Sequence, residues 1–146
     1  MTSRSFLLLP LVLAAACATT NKEPPPKPFA GTRWEVVLER EPTPQRVRPW
    51  FVFGDGVMEG FAGCNPVTAR YVQDSLGARS ITLGRIEMGR SGGCDPRVQI
   101  AETHILDVMR GVSAYTITGD VMTMSGSSGS ITLRAAASLA GAPAKP

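Results

Sequence analysis

Short stretches of alternating apolar and polar residues recur along the chain, and a period of two is typical of half-buried β-strands. The first stretch runs from Trp34 to Arg40 and places Trp34, Val36 and Leu38 on one face. Strands are predicted at this stretch and at residues 50–53, 57–61, 68–73, 80–88, 114–118, 121–124 and 130–134. Only short turns separate the last three, which predicts a three-stranded meander.

Glycines mark two special points in these strands. Gly54-Asp55-Gly56 separates the second strand from the third, and Asp-Gly is a strong signal for a tight hairpin turn. In the 80–88 stretch the alternation slips at Gly84, where a β-bulge fits the pattern. The sequence therefore predicts an antiparallel sheet with a tight hairpin and a bulge.

The period changes between Asp95 and Val112, where apolar residues recur at helical spacing. Asp95 is suited to cap a helix, Pro96 to its first position and Gly111 to its end. The predicted apolar face contains Val98, Ala101, Ile105, Val108, Met109 and Val112, and the predicted polar face contains Gln99, Glu102, Thr103 and Asp107.

Together these patterns predict one α+β domain over residues 29–134. Its main part is an antiparallel, curled, barrel-like sheet, against which the single helix packs. The low aromatic content and the abundance of glycine and proline favour many short elements over long helices.

Residues 1–16 have the layout of a secretory signal, with the cation Arg4 and a short apolar run before Cys17. The run is too short to cross a bilayer as a helix. Three alanines followed by Cys17 resemble a bacterial lipobox, in which the cysteine begins the mature chain and carries acyl chains such as palmitate. A plain secretory signal cut after Ala16 or Ala18 is the alternative.

The lipobox predicts a protein of the cell envelope, attached to a membrane through the lipid on Cys17. Ala18 stands where an Asp often retains Gram-negative lipoproteins at the inner membrane, so we expect the outer membrane, with the domain facing the periplasm. Residues 17–28 are polar and proline-rich, which predicts an extended tether. Residues 135–146 are rich in Ala, Gly and Pro, which predicts a disordered tail.

Charge excludes one class of partner. The formal net charge is +3, and the basic residues are scattered, with no two adjacent. Nucleic-acid binding requires a clustered basic face, so we expect no nucleic-acid partner. Scattered charge and short elements favour a monomer.

Two cysteines remain once Cys17 carries the lipid. In an exported protein the pair Cys64 and Cys94 predicts a disulfide. Two free buried thiols and a metal-binding pair are the alternatives. A closed zinc site needs four N or S ligands, whereas the chain has one histidine, His104, and no C-x-x-C spacing. We therefore expect neither a metal nor a cofactor.

A set of local motifs extends over residues 30–134. It consists of Trp34, Asp55, Gly56, Gly60, Gly63, Cys64, Asn65, Tyr71, Cys94, a helix with Glu102 and Leu106, and a Gly119-Asp120 hairpin. This combination resembles the META domain, the family of the HslJ-like heat-shock lipoproteins. The resemblance implies a small α+β domain with a barrel-like sheet, and it does not by itself imply an enzyme. It also suggests links to stress tolerance, novobiocin resistance and upkeep of the cell envelope.

Two groups of residues are candidates for a site. The segment Gly63–Pro66 is either a tight turn that presents the disulfide or a reactive or ligand-contacting corner. Trp50 and Phe51 are adjacent in a strand, so one of them faces outward. An exposed aromatic there would contact a protein partner, lipid or peptidoglycan.

No catalytic constellation emerges from the sequence. Asp107 lies one helical turn after His104, but no nucleophile is marked beside them. We therefore expect a non-enzymatic binding or interaction module. The alternative is a carrier or sensor of a small lipophilic ligand in an apolar cavity between sheet and helix. The Met and Phe residues available to line it are Phe53, Met58, Phe61, Met88, Met122 and Met124.

Overall fold

The computed structural model describes residues 24–38, 48–74, 79–90 and 92–137. The predicted signal at 1–16, Cys17, the tether up to residue 23 and the tail from residue 138 lie outside the described residues. The strands are β1 Arg33–Val36, β2 Trp50–Gly54, β3 Val57–Phe61, β4 Pro66–Gln73, β5 Ile81–Leu83, β6 Glu87–Met88, β7 Val112–Thr118, β8 Val121–Gly126 and β9 Gly129–Ala135, and the helix is α1 Pro96–Arg110.

The strands form one antiparallel sheet that curls into a nearly closed barrel. Neighbouring strands follow the order β5-β4-β3-β2-β1-β9-β8-β7, and β6 also pairs with β4. β1 joins the two halves, because it pairs with β2 on one side and with β9 on the other. The outer strands meet where Tyr115 N–H donates to Arg79 O at 2.9 Å and Ser80 bridges to Ala114. The predicted α+β fold with a barrel-like sheet and one helix is confirmed.

The β2–β3 hairpin turns at Asp55 and Gly56, where the sequence predicts it. Both residues have positive φ, 50° and 74° respectively, as the central residues of a type I′ turn require. Gly56 also contacts β4, because its carbonyl accepts a 2.8 Å hydrogen bond from Tyr71 N–H.

The slip in the pattern at Gly84 corresponds to a bulge between β5 and β6. Tyr71 pairs with Leu83 in β5, and Thr68 pairs with Glu87 in β6. Two residues of β4 therefore face three residues of the opposite segment, which is the definition of a bulge.

Side chains fill the interior of the barrel. Those with no exposed surface include Trp34, Phe51, Phe53, Met58, Met109, Met122, Met124 and Leu133. A void large enough for water would expose its lining, so these side chains pack directly on one another. Of the residues predicted to line a ligand cavity, four are in this core, and Met88 is half exposed. The packing does not support a lipophilic cavity among them.

The helix α1 begins and ends where the sequence predicts. The Asp95 side chain caps it by accepting a 2.9 Å hydrogen bond from Arg97 N–H, and Gly111 closes its other end. Hydrogen bonds from the Arg97 backbone and side chain lower the pKa of Asp95 from its usual value of 3.8. The helix lies against one end of the barrel, with Val108 beside Gly129 of the β8–β9 turn.

The polar face predicted for this helix is wrong at one position. Glu102 is only 6% exposed and lies on the buried face with Val98, Ile105 and Met109. Among residues 24–38, 48–74, 79–90 and 92–137, no helix is long and apolar enough to cross a membrane.

Candidate functional site

The segment 62–65, which we call the β3–β4 corner, carries the Gly-Cys-Asn motif. Ala62 N–H donates to Asn65 O across it, at 3.0 Å. Gly63 has a φ of 125°, a conformation that residues with a side chain rarely adopt. Val98 of α1 lies beside Gly63, so the corner packs directly on the helix.

Glu102 reaches this corner from the buried face of α1. Its Oε1 accepts from Asn65 N–H at 2.7 Å and from Cys64 N–H at 3.3 Å. Its Oε2 accepts from the Asn65 side-chain amide at 2.8 Å. A buried carboxylate is costly unless its lone pairs are satisfied, and here three donors satisfy them. The middle of the helix is thereby attached to the corner.

Cys64 and Cys94 form a disulfide, with their Cα atoms 6.0 Å apart. It ties the corner to the segment that leads into the helix cap at Asp95. Because both sulfurs are bonded to each other, neither is a free thiolate, which is the form that attacks or binds metal. This arrangement corresponds to the tight-turn interpretation of the motif rather than to a reactive corner.

His104 and Asp107 are the pair considered for acid–base chemistry, and the hydrogen bonds of the described residues include none between them. His104 is exposed on α1, and the Asp107 carboxylate accepts a 2.7 Å hydrogen bond from Arg110. In the part of the chain that the structure describes, no group of three or more His, Cys, Asp or Glu residues is placed to hold a metal ion.

Gly60 of the motif is required by close packing between β2 and β3. A Cβ atom at Gly60 would lie 2.3 Å from Trp50 O and 2.6 Å from Phe51 Cδ1. We expect Gly60→Ala to lower the free energy of unfolding by about 1–3 kcal/mol or more, since backbone must shift to make room. Urea unfolding measures this loss.

The matched control is Gly54→Ala in the same strand pair. A Cβ there meets nothing within 4 Å, and Gly54 does not have a positive φ. We expect a change within about 0.5 kcal/mol, as for other surface substitutions. Equal losses at Gly54 and Gly60 would contradict the packing argument.

Phe51 faces the core and Trp50 faces outward. Phe51 has no exposed surface, so its prediction as a contact residue is wrong. The absence of a Cβ at Gly60 leaves room for its ring. Trp50 is half-buried, and the Arg33 guanidinium lies 4.2 Å from the centroid of its ring. Arg33 also pairs with Glu35 at 3.6 Å, so the cation is oriented over the ring.

Trp50 belongs to an apolar row on the outside of the barrel. The register places Trp50 beside Phe61, and Phe61 beside Pro66. Pro66 is exposed, and the two aromatic residues are half-buried. With Arg33 and Glu35 at its β1 end, we call this row the Trp50 face. Trp and Arg are the residues enriched at the energetic centres of protein interfaces.

A groove of about 480 Å³ opens on the outer surface beside the bulge. Its lining includes the exposed residues Thr68, Arg70, Arg85 and Glu87. A lipophilic ligand needs a mainly apolar, enclosed site. The charged groove is therefore not suited to such a ligand.

Comparison with known proteins supports a family and a fold. The family model described as META domain matches residues 27–138, more than half of the chain. One similar structure, solved by NMR, is 17% identical, with a TM-score of 0.56 over 71% of this chain and 88% of the other. No curated protein sequence matches.

Two further solved structures share the fold. An NMR structure of a protein from Burkholderia xenovorans is 15% identical, with a TM-score of 0.55 over 74% of this chain and 83% of the other. A crystal structure of a DUF4847 family protein from Bacteroides vulgatus is 11% identical, with a TM-score of 0.52 over 73% of this chain and 93% of the other. At these identities the likeness concerns the fold alone.

Proposed function

We propose that this chain, which belongs to the META domain family, is a non-enzymatic interaction module anchored in the cell envelope through lipid on Cys17. Its contact surface is the Trp50 face. By the resemblance to HslJ-like lipoproteins, it contributes to stress or antibiotic tolerance from the periplasmic side of the outer membrane. It works as a monomer and binds no nucleic acid.

One observation carries the interaction role. Trp50, a large aromatic residue, is held on the outer face of the sheet although its neighbour Phe51 is fully buried. Arg33 covers it at 4.2 Å, which keeps the ring oriented without removing it from the surface. A rigid aromatic with an adjacent guanidinium is what a protein partner buries at the centre of an interface.

The motif residues have a different role in this proposal. The corner, the disulfide and Glu102 keep the barrel and the helix together outside the cytosol. The filled core favours a module that binds at its surface over one that encloses a ligand.

Replacing Cys17 with alanine tests the anchor. We expect the unchanged protein to fractionate with membranes and to carry added acyl mass, and C17A to be soluble. Acyl chains gain about 0.8 kcal/mol per buried CH₂, so their loss releases the domain. Membrane association of C17A at the level of the unchanged chain would contradict the lipid anchor.

The Trp50 face is tested in a deletion strain challenged with novobiocin. We expect the unchanged gene to restore growth and Trp50→Ala to fail, at equal protein levels. Ile100→Ala is the matched control, because Ile100 is an apolar residue on the helix with 70% exposure. Full growth with Trp50→Ala would exclude this face as the contact surface, and an unaffected deletion strain would exclude the tolerance role.

A further inference from the structure

Residues 27–32, which we call the strap, contact the barrel at the β7–β8 turn and at the end of β2, whereas α1 contacts it near the start of β9. Three hydrogen bonds fix the strap to the barrel. Lys27 N–H donates to Gly119 O and Gly31 N–H to Phe53 O, both at 2.8 Å. The indole Nε1–H of Trp34 donates to Phe29 O at 3.0 Å. Apart from an isolated bridge between residues 30 and 53, the strap lies outside the strand ladders.

The strap inserts one aromatic side chain among three others. The Phe29 ring centroid lies 4.5 Å from that of Phe53 and 4.5 Å from that of Tyr115. Tyr71 meets the same ring edge-on at 5.8 Å. Each such aromatic contact adds stabilisation beyond the hydrophobic gain from the surface area that it buries. We call the site formed by Phe53, Tyr71 and Tyr115 the aromatic slot.

The slot has contacts of its own that do not involve the strap. Phe53 and Tyr71 meet edge-on at 5.6 Å, and the Tyr115 hydroxyl accepts a 2.8 Å hydrogen bond from Gln73 Nε2. These side chains come from β2, β4 and β7, which the barrel holds in place. The slot is therefore prepared for an aromatic ring by the barrel itself.

We propose that the aromatic slot is a recognition site for a peptide segment bearing a phenylalanine, and that the strap is its occupant in cis. The strap is held by main-chain hydrogen bonds together with a pocket for one side chain, the two kinds of contact through which peptides are recognised elsewhere. The occupant defines the partner by its chemistry and backbone shape: a protein segment with a Phe at a bend, followed two residues later by a glycine with positive φ, which is 76° at Gly31.

The cis occupant sets how the slot responds to such a partner. A segment linked to its own site competes at an effective concentration of about millimolar or more. A free peptide therefore binds the unchanged chain only when the strap is released from the slot. Its apparent Kd equals its intrinsic Kd divided by the fraction of chains whose strap is released. Removing the Phe29 ring is expected to lift this competition.

The test uses the full chain carrying C17A, with and without Phe29→Ala, and ¹⁵N NMR of the two tryptophan indole groups. The probe is a peptide with the sequence of residues 26–32, Pro-Lys-Pro-Phe-Ala-Gly-Thr, and its control has Ala in place of Phe. Trp34 reports the slot because its indole N–H bonds to the strap. Trp50, on the outer face, reports nonspecific binding.

In F29A we expect the Phe peptide to shift the Trp34 signal in a saturable way, without moving that of Trp50. Its apparent Kd is expected to be at least about tenfold lower than in the chain that keeps Phe29, and at least about tenfold lower than that of the Ala peptide. If F29A does not fold, Phe29→Leu keeps the apolar contact and weakens the ring contacts, and the same differences apply. A folded variant whose Trp34 signal ignores the Phe peptide overturns the proposal, as does equal binding of both peptides.

Discussion

Glu102→Ala is expected to lower the free energy of unfolding by about 3–5 kcal/mol. The change removes the Glu102 acceptor from one buried donor on Cys64 and from two partly buried donors on Asn65. Each unsatisfied buried donor costs about 1–3 kcal/mol. Urea unfolding at constant pH, followed by circular dichroism, measures the loss.

Two variants separate the role of the carboxylate from that of an ordinary helix residue. Glu102→Gln keeps one oxygen acceptor but brings an NH₂ group against a donor, so we expect an intermediate loss of about 1–3 kcal/mol. Asp107→Ala removes a carboxylate from the exposed face of the same helix, where its pair with Arg110 is worth about 1 kcal/mol or less. Similar losses of unfolding free energy for Glu102→Ala and Asp107→Ala would contradict the stabilising role of the Glu102 hydrogen bonds to the β3–β4 corner.

The sequence predicts the helix well and misplaces its most important side chain. Asp95 and Gly111 mark its ends because capping is a local interaction. Glu102, however, lies four residues after Val98 and three before Ile105, and is therefore on the buried face of the helix. A charged side chain suggests a solvent-exposed position. Its hydrogen-bond partner Asn65 is 37 residues away in the sequence, so no local pattern reveals the contact. An acidic residue within an apolar stripe was the available signal.

Hairpins are predicted more reliably than the closure of the barrel. The Asp55-Gly56 turn depends on two adjacent residues, and the bulge at Gly84 depends on a local change of period. The pairing of β1 with β9 joins Trp34 to Ala135. It depends on packing of the whole core, so no local pattern specifies it.

The orientation of the candidate contact residues also depends on residues that are distant in the sequence. Alternation predicts that Trp50 and Phe51 face opposite ways, but the direction follows from Gly60 across the strand pair. Phe29 received no role from the sequence, although it is the first aromatic residue after the proline-rich run. Its neighbours Tyr71 and Tyr115 come from strands that only the fold brings together.

Removing the disulfide is expected to cost roughly 3–4 kcal/mol. The bond closes a loop with a sequence separation of 30 residues, and the chain-entropy account gives about this value for such a loop. The test compares the unchanged chain with the double variant C64A/C94A, in urea with and without reductant. Reductant should destabilise the unchanged chain and leave the double variant as it was. A loss below about 1 kcal/mol would mean that the bond adds little to the fold.

Combining this change with Glu102→Ala shows how the two connections at the corner cooperate. If the disulfide acted on the unfolded chain alone, its loss and that of Glu102 would add within about 0.5 kcal/mol. Both, however, hold Cys64, whose N–H bonds to Glu102 while its sulfur bonds to Cys94. Without the disulfide the corner has more freedom, and the carboxylate bonds are worth less. We therefore expect the triple variant to lose about 1 kcal/mol less than the sum of the separate losses. Strict additivity in this cycle would show that the disulfide restrains the unfolded chain without positioning the corner for Glu102.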